Sequence, residues 1–376
     1  MKKGYYIFCG SQKDLEKGSL GVVKKMQRQV DVLNNYFETN FITITEPKNY
    51  HRGIIDKIML RVPNVSFPRD YIQAISYMDS PDFIYIRGTI ADKKFIEFLS
   101  MLRSNFPNCK IIIELFTYPY EKDTFDSWIM KPLMFKDRIY RKFYKKLIDR
   151  FTTYSLDKEI FGVPTINIMN GINAKDVEPI MPSRYDVNTL HLVFVGYMQK
   201  QHGLERLLYG LYNYYCKSTK KNVIFHMVGD GPELDKYEAI VDKLCLSDYV
   251  IVYGSKHGKE LDDIYNQADL GVDALSLYKS GINWSSSLKS REYLAKGLPI
   301  VSGCRTDVFE KYKCDYHVDF ANDASPIDVE KIISWYNDLS NQYVDKVEMT
   351  KAIHAYAVNH VDSSVVIKPV VDYIYS

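Results

Sequence analysis

The stretch that decides the fold of this chain is Asn283-Trp284-Ser285-Ser286-Ser287-Leu288-Lys289-Ser290-Arg291-Glu292-Tyr293-Leu294-Ala295-Lys296-Gly297-Leu298-Pro299-Ile300-Val301. A loop of small residues leads directly into a short predicted helix, which ends at Gly297 and is followed by an apolar strand. The first N–H groups of a helix lack partners within it and lie at its positive end, where a phosphate is readily bound. Glu292 follows about one turn later, within reach of a sugar hydroxyl, and the basic Lys289 stands between them. Phosphate and polyol together indicate a nucleotide-sugar.

Strand-like apolar runs alternate with helix-like segments on both sides of this stretch, a pattern typical of parallel α/β layers. The predicted strands are Tyr5–Cys9, Phe41–Thr45, Phe83–Arg87, Lys110–Glu114, Thr165–Ile168, His191–Val195, Val223–Val228, Val250–Tyr253, Leu270–Val272 and Pro299–Val301. A turn-rich segment with Pro179 and Pro182 separates the two halves. The 376 residues suffice for two domains of about 150 residues each.

The composition argues against several classes of protein. A net charge of only +2 argues against a nucleic-acid-binding protein. The 6 cysteines form no Cys-x-x-Cys pair, which argues against a disulfide framework or a zinc site and indicates a reducing cytoplasm. The N-terminal apolar run is too short for a signal sequence, and no run of about 18 apolar residues is present to span a membrane.

The opening stretch resembles the donor-binding half of the GT-B glycosyltransferases of the large retaining family 4. That family carries two glutamates separated by seven residues, followed by Gly-x-Pro and a strand. Glu292 is the second of them here, whereas Trp284 occupies the position of the first. The chain is more similar to a branch that reads LK..EYLA.G.P and lacks the first glutamate.

The resemblance implies an α/β GT-B fold with two Rossmann-like domains that face each other across a cleft. It implies an N-terminal acceptor-binding domain at 1–185 and a C-terminal domain at 186–354 that binds the nucleotide-sugar donor. The apolar segment 355–376 would form a helix that crosses back onto the N-terminal domain. The alternative is a last helix packed on the second domain.

The resemblance also implies a donor site built from several loops of the second half. The residues expected to act on the donor directly are His202, Arg206, Lys289 and Glu292. Those expected to line the site are Gly196, Gly229, Gly231, Ser255, Lys256, Ser285, Ser286, Ser287 and Leu288. His202 and Arg206 would replace the family's usual Arg and Lys, because a cation beside the diphosphate stabilises the charge that develops as it departs. Ser255 and Lys256 would meet the base through their backbone, and Glu292 would accept the ribose hydroxyls. In the alternative, His202 only packs its own turn.

Candidate acceptor residues lie in the first half. They are Gly21, Arg87, Glu114, Thr117 and Tyr118. Gly21 belongs to a glycine-rich helix start after the first strand, and the segment 113–121 resembles the EI.TYPY..E segment of the same branch. A strand end followed by polar aromatics suits a cleft floor on which sugars stack, and a structural turn at Pro119 is the alternative.

Residues 128–150 form a predicted basic, aromatic helix. Its basic residues are Lys131, Lys136, Arg138, Arg141, Lys142, Lys145, Lys146 and Arg150, against Asp137 and Asp149. Basic residues beside aromatics on a helix suit the surface of an anionic membrane. The alternative is an amphipathic helix that covers the sheet and leaves a solvated basic rim.

These features lead us to expect a retaining hexosyltransferase that uses a UDP-sugar and a glycan or polyprenyl-diphosphate-linked acceptor in bacterial surface polysaccharide synthesis. The departing phosphate can itself deprotonate the acceptor hydroxyl, so no general base is assigned. No Asp-x-Asp flanked by apolar residues stands out as a metal site, and lysine, arginine and helix ends would take the place of a metal ion, so neither a metal ion nor a cofactor is expected. The protein would be cytoplasmic, on the inner face of the cell membrane. One alternative is a non-catalytic GT-B-like partner of another transferase, and another is a UDP-sugar 2-epimerase, which needs acid–base carboxylates and histidines in its cleft.

Overall fold

A computed structural model describes residues 1–10, 20–47, 53–88, 90–116, 118–120, 130–182, 188–217 and 221–376. The chain divides into two compact units, Met1–Met169 with Val366–Ser376, and Asn170–Val365. Each unit contains a sheet of mainly parallel strands connected by helices. The predicted α/β class with two Rossmann-like domains is therefore confirmed.

The first unit is built on a seven-stranded sheet. Its strands are β1 (Lys3–Gly10), β2 (Glu38–Thr45), β3 (Phe83–Arg87), β4 (Lys110–Leu115), β5 (Arg150–Thr153), β6 (Glu159–Ile160) and β7 (Val163–Asn167). Its helices up to residue 169 are α1 (Leu20–Asn34), α2 (Ile54–Met59), α3 (Tyr71–Ser76), α4 (Lys93–Asn105), α5 (Lys131–Tyr140) and α6 (Tyr144–Leu147). The strand order is β2-β1-β3-β4-β5-β7-β6, and only β6 runs antiparallel to its neighbour.

Both faces of this sheet are buried. Along β1, Ile7 packs into one apolar cluster with Phe95 and Phe98 of α4, while Tyr6 packs into a second cluster on the other face. Successive strand residues point to opposite faces, so a strand that is covered on both sides reads as an uninterrupted apolar run. This burial explains why the central strands were recognisable in the sequence.

The second unit has a six-stranded parallel sheet of order β10-β9-β8-β11-β13-β15 and a separate parallel pair, β12 with β14. The strands are β8 (Thr189–Val195), β9 (Asn222–Val228), β10 (Val250–Gly254), β11 (Leu270–Val272), β12 (Trp284–Ser285), β13 (Ile300–Ser302), β14 (Arg305–Thr306) and β15 (His317–Asp319). The helices are α7 (Glu205–Tyr215), α8 (Leu234–Lys243), α9 (Lys259–Tyr265), α10 (Leu288–Lys296), α11 (Asp307–Lys311), α12 (Val329–Ser340) and α13 (Lys346–His360).

The C-terminal segment forms α13, α14 (Ser363–Val366) and α15 (Lys368–Tyr375) rather than one helix over 355–376. Helix α15 belongs to the first unit, where Val370, Val371 and Ile374 are completely buried in the second apolar cluster. The division between the units falls after residues 169 and 365, whereas the sequence placed it after 185 and 354. The reason is that residues 170–182 bond to the second unit, as in the hydrogen bond from Ile180 N–H to the carbonyl of Lys296 at 2.9 Å.

The predicted basic helix differs from the observed one at its C-terminal end, and residues 121–129 lie outside the described residues. From Lys131 the chain is helical through α5, a 3₁₀ turn at Arg141–Phe143 and α6. The prediction that the helix continues to Arg150 is wrong, because Ile148 is extended (φ −122°, ψ 159°) and Arg150 begins β5. Among the described residues, none of the helices has the length and apolar character needed to cross a membrane.

Candidate functional site

Helix α10 has the loop–helix–strand arrangement that the sequence predicted. Ser287 is its N-cap, and the Ser287 hydroxyl accepts a hydrogen bond from the N–H of Ser290 at 3.1 Å. The helix ends at Gly297 in the left-handed region (φ +78°), and β13 follows. No described residue accepts a hydrogen bond from the N–H of Leu288 or Lys289, as expected for the first turn of a helix. These two donors remain available for an anion.

The side chain of Lys289 meets His202, 87 positions earlier in the chain. Lys289 Nζ lies 2.9 Å from His202 Nε2 and 5.3 Å from the centre of the Phe194 ring. His202 ends a 3₁₀ turn and is buried, and its Nδ1 accepts a hydrogen bond from the N–H of Gln199 at 3.0 Å. The structure thus brings together two of the predicted site residues.

Burial controls the charge of both groups. It lowers the pKa of His202, and Lys289 in its charged form lowers it further, to about 3. Both effects favour the neutral form of His202, in contrast to the cation that the resemblance implied, and its role beside a diphosphate stays a prediction. Burial also lowers the pKa of Lys289, while Asp273 and Glu292 act in the opposite direction.

The three predicted glycines lie where β8 and β9 end. Gly196 has φ +147°, and a Cβ atom there would lie 2.7 Å from Cε of Lys289. A Cβ atom on Gly229 would lie 2.0 Å from the carbonyl oxygen of Gly196, and one on Gly231 would lie 2.3 Å from that of Met198. Gly196 thus makes room for the lysine, whereas Gly229 and Gly231 let the two loops pack together.

Glu292 lies one turn after Lys289 on α10 and is half-buried. The hydroxyl of Tyr265 donates a hydrogen bond to Glu292 Oε1 at 3.3 Å. Tyr265 thus contacts the residue that the resemblance assigns to the ribose hydroxyls.

The serines before α10 bond to neighbouring parts of the second unit. Ser285 is buried in β12. The Ser286 hydroxyl accepts from the N–H of Asn170 at 2.9 Å, and the Ser287 hydroxyl donates to Asp273 Oδ2 at 2.6 Å. These side chains hold the loop in place and do not bond the N–H groups of Leu288 and Lys289.

Arg291 is a site residue that the sequence did not single out. Its side chain is completely buried and pairs with Asp307, and its Nε donates to the carbonyl of Asn170 at 3.0 Å. Its Nη1 donates to the Ser290 hydroxyl at 2.8 Å. Arg291 thus supports the loop from below. The position of Arg291 next to Glu292 could have drawn attention to it. Its structural role could not be predicted, because its partners Asp307 and Asn170 are distant in the sequence.

Arg206, predicted to contact the diphosphate, has another task in the structure. It is buried, and its Nε and Nη2 donate to the carbonyls of Ser325 (2.6 Å) and Ala321 (2.9 Å), while Nη1 donates to that of Leu275. Leu275 N–H in turn donates to the carbonyl of His202 at 2.9 Å. All three guanidinium nitrogens of Arg206 donate to backbone carbonyls. Through Leu275, Arg206 therefore helps to position the turn that contains His202.

Ser255 and Lys256 follow β10, in the loop next to that of Gly229. Ser255 is exposed, and Lys256 Nζ pairs with Glu260 at 3.1 Å. The N–H of Gly229 donates to the carbonyl of Gly254 at 2.8 Å, which joins the two loops. Their expected backbone contacts with a base stay a prediction.

In the first unit, Arg87 and Glu114 form an internal ion pair. Arg87 Nη1 donates to Glu114 Oε1 at 2.7 Å. The completely buried carboxylate also accepts from Lys25 (3.3 Å), Tyr154 (2.7 Å) and Tyr85 (3.0 Å). Burial raises the pKa of Glu114, but Arg87 and Lys25, with the two tyrosine hydroxyls, outweigh it and lower the pKa to about 2. The expectation that Glu114 binds an acceptor hydroxyl does not fit this arrangement.

The other acceptor candidates that the structure describes do not belong to this ion-pair cluster. Gly21 lies in the first turn of α1, and Thr117 lies outside the described residues. The ring of Tyr118 packs edge-on against Phe161, with 5.9 Å between their centres. Arg87 also stacks over the ring of Phe116, which is exposed.

The chain has two units, each with a mainly parallel sheet, and a helix in the second unit whose first turn contains Lys289 and can bind an anion. These features are those of a protein with the GT-B fold. Residues 189–324, within the second unit, match the family model described as "Glycosyl transferases group 1". No curated protein matches the chain in a sequence comparison.

Solved structures resemble the chain over its whole length. HepE of Anabaena in complex with UDP has 11% identity and a TM-score of 0.63, with 100% of each chain covered. The lipopolysaccharide outer core galactosyltransferase WaaB has 14% identity and a TM-score of 0.61, with 100% of this chain and 99% of WaaB covered. A glycosyltransferase from Rickettsia africae has 12% identity and a TM-score of 0.59, with 99% of this chain and 97% of the other covered. At such identities the likeness establishes the fold.

Proposed function

We propose that this protein is a retaining glycosyltransferase that moves a hexose-type sugar from a UDP-sugar to a glycan or lipid-linked acceptor in bacterial surface polysaccharide synthesis. The observation that carries the proposal is the contact of Lys289 with His202 at the start of α10, with Glu292 one turn later. The matched glycosyl transferase segment supports it. HepE of Anabaena, which shares the fold, has been solved with UDP and with UDP-glucose.

The proposed chemistry depends on stabilising the departing diphosphate. Negative charge develops on it as the glycosidic bond breaks, and fixed donors aimed at that charge lower the barrier. The N–H groups of Leu288 and Lys289, the Lys289 ammonium and the His202 Nε2–H are those donors in this proposal. A helix start contributes about 0.3–1 kcal/mol when exposed, and more where water is excluded.

In this proposal the Glu292 carboxylate accepts the ribose hydroxyls and is oriented by Tyr265. The departing phosphate removes the proton from the acceptor hydroxyl on the same face of the sugar. The chain then supplies no general base, and no metal ion or cofactor takes part.

Calorimetry with UDP and UDP-sugars tests the donor site. We expect Lys289→Ala and Glu292→Ala to weaken binding at least tenfold, or about 1.4 kcal/mol. Lys296→Ala is the control, because Lys296 lies on the same helix but pairs with Asp262 at 2.8 Å. The site assignment is wrong if neither of the first two variants weakens any donor. Mass spectrometry of a lipid-diphosphate sugar incubated with donor and enzyme tests transfer.

One observation favours a non-catalytic partner of another transferase as a second candidate. Trp284 occupies the position of the family's first glutamate, and its ring lies 5.6 Å from the guanidinium of Arg305. In that case the protein binds UDP but neither transfers nor hydrolyses the sugar until a second subunit is added.

We further propose that the surface of α5, the following 3₁₀ turn and α6 binds an anionic membrane on its cytoplasmic face. Lys131, Phe135, Arg138, Lys142 and Lys145 are exposed at spacings of four, three, four and three residues, which places them on one helical face. Phe135 is 59% exposed, although it is aromatic. Each Lys or Arg near such a surface contributes about 1 kcal/mol.

The residues between these positions face the protein. Leu133 and Lys136 are buried, and Lys136 Nζ donates to the carbonyl of Leu60 at 2.9 Å. Asp137 is also buried and pairs with Arg141 at 3.2 Å. Because Asp137 is buried, the charged residues on this exposed face are basic, although the sequence of the segment also contains an acidic residue.

Flotation with lipid vesicles tests the membrane proposal. We expect the full chain to float with phosphatidylglycerol-containing vesicles and not with pure phosphatidylcholine. The triple variant Lys131→Gln/Lys142→Gln/Lys145→Gln should lose this binding. Lys243→Gln/Lys259→Gln/Lys351→Gln removes the same charge from exposed positions of the second unit and should retain it. Equal flotation of the two triple variants would overturn the proposal.

A further inference from the structure

The hydrogen bonds of His202 determine where its proton lies. Nδ1 accepts from the backbone N–H of Gln199 at 3.0 Å, and a backbone N–H can only donate. Nδ1 must therefore carry a lone pair, so the proton of the neutral ring is on Nε2. It is Nε2 that faces Lys289 Nζ at 2.9 Å.

A charged lysine does not complete this contact. An ammonium group has three donors and no acceptor, so Nε2–H and a charged Nζ would present hydrogens to each other. The contact is a hydrogen bond when Nζ is an uncharged amine that accepts from Nε2–H. Both groups can donate at the same time only when an acceptor, such as a phosphate oxygen, takes a hydrogen bond from each.

The groups around Lys289 do not remove this conflict. Asp273 and Glu292 are the carboxylates that favour its charged form, and burial opposes them. Asp273 already accepts from the Ser287 hydroxyl at 2.6 Å and from the N–H of Ala274 at 2.8 Å. Glu292 accepts from Tyr265. Lys289 Nζ also lies 5.3 Å from the centre of the Phe194 ring, and the lysine stem passes close to Gly196.

We infer that Lys289 takes up a proton when a nucleoside diphosphate binds, and that His202 is the positioning residue that couples the two events. The inference rests on the proposed donor site and adds to it a dependence on pH. Without ligand, Nζ accepts from His202. With the diphosphate present, the added proton makes Nζ a donor, and the phosphate oxygens accept from both Nζ and Nε2.

Calorimetric titration of the full chain with UDP, in buffers of different ionisation enthalpy at about pH 8, measures the protons taken up. UDP is fully ionised there, because the second ionisation of a phosphate occurs near pH 6. We expect a net uptake of protons that accompanies UDP binding, with one proton per UDP as its upper limit. Lys289→Arg is the matched variant, because a guanidinium stays charged throughout and should bind UDP with no uptake. His202→Ala removes the opposing donor and should reduce the uptake.

The outcomes separate this inference from the proposed function. If the parent binds UDP with the same enthalpy in every buffer, the inference is overturned and the donor site stands. If Lys289→Arg retains the uptake, the proton goes elsewhere and the inference is again overturned. If UDP does not bind the parent at all, the donor site itself is wrong.

Discussion

At the scale of single residues, the position of Lys289 depends on Gly196. The φ of +147° at Gly196 is one that residues with a side chain rarely adopt, and the lysine stem crosses the backbone where a Cβ atom would be. Gly258 also has positive φ (+55°), but a Cβ atom there would meet nothing within 4 Å. An added methyl group would therefore clash with Lys289 at position 196 and would meet open space at position 258.

We predict that Gly196→Ala weakens UDP binding about tenfold, or about 1.4 kcal/mol, because the new methyl group displaces Lys289. Gly258→Ala should carry only the cost of backbone strain and bind UDP like the parent. Isothermal titration calorimetry measures both affinities. Equal affinities for the two variants would show that the position of Lys289 does not depend on the absence of a side chain at residue 196.

Glu114 yields a prediction about pH. Its pKa is lowered from an ordinary 4.5 to about 2, so its ion pairs stabilise the fold above about pH 4.5, and this contribution is lost as the pH falls towards 2. Glu114→Gln should lower the free energy of unfolding by about 3–5 kcal/mol at neutral pH, because Arg87 and Lys25 lose their charged partner.

The difference between Glu114→Gln and the parent should shrink as the pH is lowered from 4.5 to 2. Urea denaturation at several pH values measures it. Glu159→Gln, at an exposed position of β6, should change stability by less than about 0.5 kcal/mol at any pH. A difference for Glu114→Gln that does not vary with pH would contradict the pKa assignment.

At the scale of elements, α10 begins where it does because of Ser287. The Ser287 hydroxyl caps the helix through the N–H of Ser290 and also reaches Asp273 at the end of β11. One side chain thus sets both the start of the helix and its attachment to the sheet. The proposed phosphate donors follow directly after it.

We predict that Ser287→Ala lowers the free energy of unfolding by about 1 kcal/mol, the usual cost of losing a cap. It should also weaken UDP binding, because the start of the helix becomes less ordered. Ser287→Thr keeps the hydroxyl and should remain close to the parent. Urea unfolding and calorimetry are the measurements, and identical behaviour of the Ala and Thr variants would refute the role of the cap.

At the scale of the whole molecule, the last residues of the chain stabilise its first unit. Val370, Val371 and Ile374 are completely buried there, and Lys110 Nζ donates to the carbonyl of Tyr373 at 2.7 Å. Fully burying one aliphatic side chain contributes about 1.5–3 kcal/mol. The core of the first unit therefore depends on residues 366–376.

We predict that Val371→Asp destabilises the first unit by more than about 3 kcal/mol, because it buries an unpaired charge and removes apolar contacts. Val344→Asp is the control, since Val344 is 91% exposed. Limited proteolysis with mass spectrometry shows which segments become cleavable. Cleavage confined to 170–365 in the Val371→Asp variant would contradict the assignment of α15 to the first unit.

The sequence by itself determined the features that depend on neighbouring residues. The central strands were recognisable from apolar runs, and α10 from its small-residue start, its Gly297 end and the strand that follows. Short strands such as β5 and β15 escaped recognition, because two to four residues carry too little periodicity. The resemblance to a known family supplied the donor-site residues, of which His202 and Gly196 both lie next to Lys289.

Only the tertiary structure decided which of these residues are partners. Arg206 and Glu114 looked like ligand contacts in the sequence, yet both are occupied by groups from distant segments. Arg291 pairs with Asp307 and Asn170, and α15 completes the first unit, because the strand order brings remote segments together. Local pattern encodes periodicity and burial, whereas a contact between distant residues requires the register and order of the whole sheet.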